Sequence, residues 1–116
     1  MRFGLLGSVV QLGPRSEGYV LLQAGLITRE EGFDPSSGEW QAEIQPTPLL
    51  QSLFTTMPEM EQLYPVLVEF VMVFRYLDNP GFVDLEKIAQ RLIGMGMTAE
   101  GLLKLRIEIE YAEGRA

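Results

Sequence analysis

The spacing of apolar positions changes near Gln45, and that change separates a region patterned like strands from one patterned like helices. Before Gln45, glycines and β-forming residues dominate. Phe3 to Leu12 is an apolar run broken by two glycines, which reads as a buried strand, and Gly13-Pro14-Arg15-Ser16 reads as a turn. Tyr19 to Ile27 is a second β-prone run, with Gly25 as a bulge or point of close approach.

The sharpest local signal in this half is Phe33-Asp34-Pro35-Ser36-Ser37-Gly38-Glu39-Trp40. Asp and Pro suit the first two positions of a type I turn, and Gly38 suits a left-handed residue that closes a hairpin. The arms are expected over about Ile27 to Phe33 and Glu39 to Gln45. Trp40, Ala42 and Ile44 alternate there with Glu39, Gln41 and Glu43, giving one buried and one wet face.

Beyond the joint Gln45-Pro46-Thr47-Pro48, Thr47 is placed to cap a short helix over about Pro48 to Phe54, with Pro48 in its first position. Thr56-Met57-Pro58-Glu59 has the form of a capping box and announces a longer helix to about Leu77, kinked or restarted at Pro65. On a helical wheel Leu63, Leu67, Phe70, Phe74 and Leu77 share one face, flanked by Tyr64, Val66, Val71 and Val73. Glu61, Glu69 and Arg75 lie opposite. A second apolar stripe, Val68, Met72 and Tyr76, runs among them.

Asp78-Asn79-Pro80-Gly81 stops that helix. The next spans about Phe82 to Ile93, with Leu85, Ile88, Ala89, Leu92 and Ile93 inward, Asp84, Glu86, Lys87 and Arg91 outward, and Gly94 or Gly96 as its terminator. The last segment carries two conflicting signals. Thr98-Ala99-Glu100 suggests a helix start, whereas Leu103 to Tyr111 alternates apolar and charged residues without error, the period of a half-buried strand. Periodicity is preferred over propensity, so a C-terminal strand that joins the sheet is expected.

Together these elements predict one α+β domain over residues 1–116: a small antiparallel meander or hairpin covered by two or three helices. A chain of 116 residues closes one hydrophobic core, and an apolar fraction of 47% with 22% charged residues is that of a packed globular protein. The longest apolar stretch, Tyr64 to Phe74, is far below the about 20 residues that a membrane-spanning helix needs. The opening Met1 to Gly13, broken by Gly4 and Gly7, lacks the uninterrupted apolar region of a secretory signal, so a mature cytoplasmic protein is expected, free or assembled into a particle formed there.

Composition removes most catalytic chemistry. The chain contains no histidine and no cysteine. Imidazole general bases, thiolate nucleophiles, disulfides and nearly all tight zinc, copper or iron sites therefore have no donors. Acids outnumber bases 16 to 9, for a net charge of −7, and no basic cluster is present. Nucleic-acid and anionic-membrane partners are thus not expected. Met1-Arg2-Phe3-Gly4-Leu5-Leu6-Gly7 resembles the start of bacterial transcriptional activators with an N-terminal winged-helix domain, but the likeness covers seven residues and no basic recognition helix follows.

Carboxylates are the main reactive groups that remain. Glu30, Glu31, Asp34 and Glu39 gather at the hairpin, where Asp34-x-Ser36-x-Gly38 only partly follows a calcium loop and lacks its bidentate acid; a solvated turn is the expected role. Glu69 interrupts an apolar run, yet the wheel places it at the rim of the core. Neither Lys87 nor Lys104 follows a glycine-rich phosphate loop, so no nucleotide site, cofactor, metal or catalytic residue is assigned.

The functional expectation is a non-enzymatic protein–protein interaction or assembly module, such as a small subunit of a larger complex or of a phage-type particle. Its partner is another protein or a second copy. The contact residues expected are Val68, Met72 and Tyr76, with Met60, Met95 and Met97 beside them, because adaptable thioethers and exposed apolar rows suit contact surfaces. Two other classes compete: an acidic nucleic-acid mimic that seats Glu30, Glu31, Glu43, Glu108 and Glu110 in a basic groove, and a carboxylate-based or divalent-metal enzyme.

Overall fold

Glu17 opens a helix where the residue types favour a strand. In the computed structural model, which describes residues 17–76 and 82–114, the elements in order are α1 (Glu17–Gln23), β1 (Ile27–Asp34), β2 (Glu39–Pro46), α2 (Pro48–Gln51), α3 (Met60–Tyr76), α4 (Phe82–Gly94) and α5 (Ala99–Ala112). This is an α+β arrangement with a two-stranded antiparallel sheet. The strand expected over residues 3–12, the turn after it and the stop at 78–81 lie outside the described residues.

The β-prone run from Tyr19 is corrected to a helix followed by a strand that starts only at Ile27. A helix satisfies its own backbone groups, and this one turns Val20 and Leu21 into the core, packing against α3 and α5. Gly25, at φ 75°, is its left-handed terminator and not a bulge: Leu26 N–H bonds the Leu21 carbonyl at 3.1 Å, and Gly25 N–H bonds that of Leu22 at 3.0 Å. Leu21 and Leu26, the apolar pair that brackets this motif, are both fully buried.

The hairpin forms as its turn chemistry dictates. Asp34 pairs with Glu39, Gly38 takes φ 72°, and the Asp34 carboxylate accepts Ser36 N–H at 3.0 Å and Ser36 Oγ–H at 2.7 Å. Ile27 and Ile44 at its base enter the core, whereas Phe33 near the tip is exposed. The base is joined to α2 by Thr47, whose hydroxyl donates to the Gly25 carbonyl at 2.6 Å and accepts Leu50 N–H at 3.2 Å as the helix cap.

The long core helix begins later than its capping box suggests. Glu59, not Thr56, receives the first helical bonds, from Gln62 and Leu63 N–H, both at 3.0 Å. Residues 54–55 are held instead by an antiparallel bridge to the turn between α4 and α5: Phe54 pairs with Met97, and Thr55 N–H donates to the Gly96 carbonyl at 2.8 Å. α3 then runs unbroken through Pro65 to Tyr76, burying Leu63, Val66, Leu67, Phe70, Val71 and Phe74. In α4, Ile88 and Leu92 are buried, but Ile93 is exposed, against expectation. Gly96, at φ 110°, ends the helix: Gly96 N–H bonds the Ile93 carbonyl at 3.0 Å, and Met97 N–H that of Leu92 at 3.0 Å.

The expected C-terminal strand is corrected to helix α5, capped by the Thr98 hydroxyl, which accepts Gly101 N–H at 2.8 Å. Residues two apart lie about 200° apart on a helix, so strict alternation places them on nearly opposite sides. Gly101, Leu105 and Ile109 are buried, while Leu103, Ile107 and Tyr111 point away from the core.

Candidate functional site

Leu103, Ile107 and Tyr111 form a continuous row along the outside of α5, at 61%, 48% and 67% exposure. Successive members are four residues apart and so stack one turn above another. The row is fixed in place from behind by Leu105 and Ile109 and at its start by the Thr98 cap. Lys104, Arg106, Glu108 and Glu110 flank it. Its C-terminal end is tied to α3 by the Arg75 guanidinium, which donates from Nε to Glu113 Oε1 at 3.1 Å in a largely buried pair.

A second feature is a groove of about 400 Å³ between α3 and α4. Met72, Val73 and Ile88 supply apolar lining, and Glu69, Asp84, Lys87 and Arg91 supply charge around it. Glu69 and Arg91 form an ion pair across the groove, both side chains about half exposed. Two acids and two bases therefore line it, and one of each is engaged in the Glu69–Arg91 pair.

Of the six residues expected at a contact surface, Met72 is plainly on the surface, at 44% exposure and within this groove. Val68, Met60 and Met95 are half-buried and pack against the core, as does Met57. Met97, 3% exposed, belongs to the core itself and is closed to any partner in this conformation. The Tyr76 side chain lies outside the described ones. The five described residues therefore do not make one surface, since most of these thioethers fill gaps between helices, a use their flexibility suits equally well.

The acids do not gather into one site either. Glu30 lies directly opposite Glu43, on the hairpin face opposite to Glu31, which pairs with Arg29, while Glu108 and Glu110 belong to α5. These five acids are thus spread over both faces of the hairpin and over α5. Asp34 spends its carboxylate on Ser36, and among the described residues no three acids stand close enough to hold a metal ion. One phenol is electrostatically unusual. Burial, and secondarily the nearby Glu17 carboxylate, push Tyr64 above the ordinary tyrosine value.

The α5 row was present in the sequence as three of the five apolar residues of the alternation. Read as a strand, Leu103, Leu105, Ile107, Ile109 and Tyr111 make one buried face; on the helix Leu105 and Ile109 stay inward and the other three become a separate outer face. No protein-family model matches the chain, and neither a similar curated protein nor a similar solved structure was found. Among the described residues, no helix is long and apolar enough to cross a membrane.

Proposed function

We propose that the chain is a protein–protein interaction module, and that α5 rather than the α3 methionine stripe presents its main contact surface. The observation that carries this reading is the row Leu103, Ile107, Tyr111, three large apolar side chains exposed side by side on a helix whose opposite face is already committed to the core. A continuous apolar row of this kind on a rigid element suits a docking face, whereas isolated exposed apolar residues need no explanation. Tyr111 adds a hydroxyl to a large apolar body, a combination enriched at interfaces. The role as a subunit of a larger assembly rests on this same face.

The test places a photo-crosslinking side chain at position 107, and in a second variant at the exposed hairpin residue Ser37, in the full chain expressed in its native source. Covalent adducts with protein at position 107 and few at position 37 are the expected result. Adducts at position 107 no more abundant than those at position 37 would overturn the reading.

A further inference from the structure

We propose that the occupant of the α5 face is a second copy of this chain, docked antiparallel across a two-fold axis that passes beside Ile107; this rests on the interaction reading above. The argument is the arrangement of charge about the row. On a helix, Lys104 and Glu108 stand on one flank of Leu103-Ile107-Tyr111, and Arg106 and Glu110 stand on the other. An antiparallel two-fold places each flank against its own image in reverse order.

With the axis at Ile107, Leu103 lies across from Tyr111 of the second copy, and Ile107 meets its own image. Lys104 then lies within one helical turn of Glu108 of the second copy, and Arg106 within one turn of Glu110 of the second copy. One opposite-charge contact forms on each flank and the symmetry generates it twice, for four in all. Glu108 and Arg106 also approach their own images, but on the helix both are turned further from the row than Lys104 and Glu110, and these two like-charge approaches are outnumbered by the four opposite-charge contacts. A parallel arrangement is poorer, because it sets Lys104 beside Arg106 and Glu108 beside Glu110.

The surface is thus complementary to itself in apolar size and in charge, with one register. Three side chains supply only part of the about 800 Å² per partner of a standard interface, so the pairing is of the weak, concentration-dependent kind.

Sedimentation velocity of the full chain across the micromolar to millimolar range reads it directly. The wild-type chain is expected to pass from monomer to dimer, and Ile107→Asp to weaken association at least about tenfold. The decisive comparison uses two double variants, Lys104→Glu/Arg106→Glu and Glu108→Lys/Glu110→Lys. Each alone carries charge of one sign on both flanks and is expected to stay monomeric; mixed together they restore complementary flanks and form a heterodimer. A wild-type chain that is monomeric throughout, or double variants that dimerise as well alone as mixed, would overturn the proposal. Crosslinks from position 107 to a different protein, with the purified chain monomeric, would remove self-pairing and leave the interaction reading standing.

Discussion

Gly101 passes directly beneath Leu53: a β-carbon on Gly101 would meet the Leu53 carbonyl oxygen inside van der Waals contact and lie 2.9 Å from its Cα. The same carbonyl accepts Thr98 N–H at 3.0 Å, so the start of α5 is held against the α2–α3 connection with no room for a side chain. This contact fixes the height and tilt of the outward row, because α5 is positioned from its first turn.

Gly101→Ala should therefore destabilise the protein, although alanine is the better helix former. The propensity gain is about 1 kcal/mol. Overpacking against backbone, which cannot move aside as a flexible side chain can, costs about 2–3 kcal/mol, so the clash wins. Urea unfolding followed by circular dichroism should show a lower midpoint with an unchanged slope.

Two ion pairs made by α3 should differ in strength. Arg75–Glu113 is shielded, with side-chain exposures of 15% and 13%, whereas the Glu69–Arg91 pair is half in water. Double-mutant cycles should give a coupling of about 1–2 kcal/mol for the first and below about 0.5 kcal/mol for the second. Added salt should reduce the second more.

Tyr64 sets an alkaline limit. Its phenol has a higher pKa folded than unfolded, because burial and Glu17 disfavour the phenolate. The unfolded chain then releases its proton first, so the stability this group confers is full below the ordinary tyrosine value and is lost as pH rises through the folded value. Denaturant midpoints measured through that range should fall, and Tyr64→Phe should fall less steeply than wild type.

Glu30 and Glu43 face each other directly across the hairpin. Like charges in that position oppose pairing, and opposite charges favour it. Glu43→Lys should raise stability by about 0.5 kcal/mol, measured by thermal or urea unfolding at low ionic strength, with the gain diminishing in salt.

Parts of the fold were legible from residues close together in the chain. The hairpin follows from Asp34, Ser36 and Gly38, whose hydrogen bonds and left-handed φ need nothing from elsewhere. Thr47-Pro48 begins α2 for the same reason, and α3 and α4 are long enough for their period to be read, with the core residues Leu63, Leu67, Phe70, Ile88 and Leu92 following from it. Of the contact residues expected from the sequence, Met72 is exposed but lies in the α3–α4 groove and not on the α5 row, whereas Val68 is half-buried and Met97 is buried by neighbours that the helical wheel of a single segment cannot show.

Tertiary structure decided α1 and α5. The seven residues of α1 are too few to reveal a period, and β-prone Tyr19 and Val20 adopt a helix that packs on α3 and α5 and closes at Gly25. In α5, strict alternation is compatible with a strand or with a helix that is apolar on two sides, and the sequence by itself holds no preference strong enough to separate them. The slot under Leu53 selects the helix, because only a glycine entering there under the Thr98 cap lets Leu105 and Ile109 reach the core. Turn and cap chemistry acts within a few residues and is written locally, whereas which side of a segment is buried depends on surfaces contributed by residues distant in the chain.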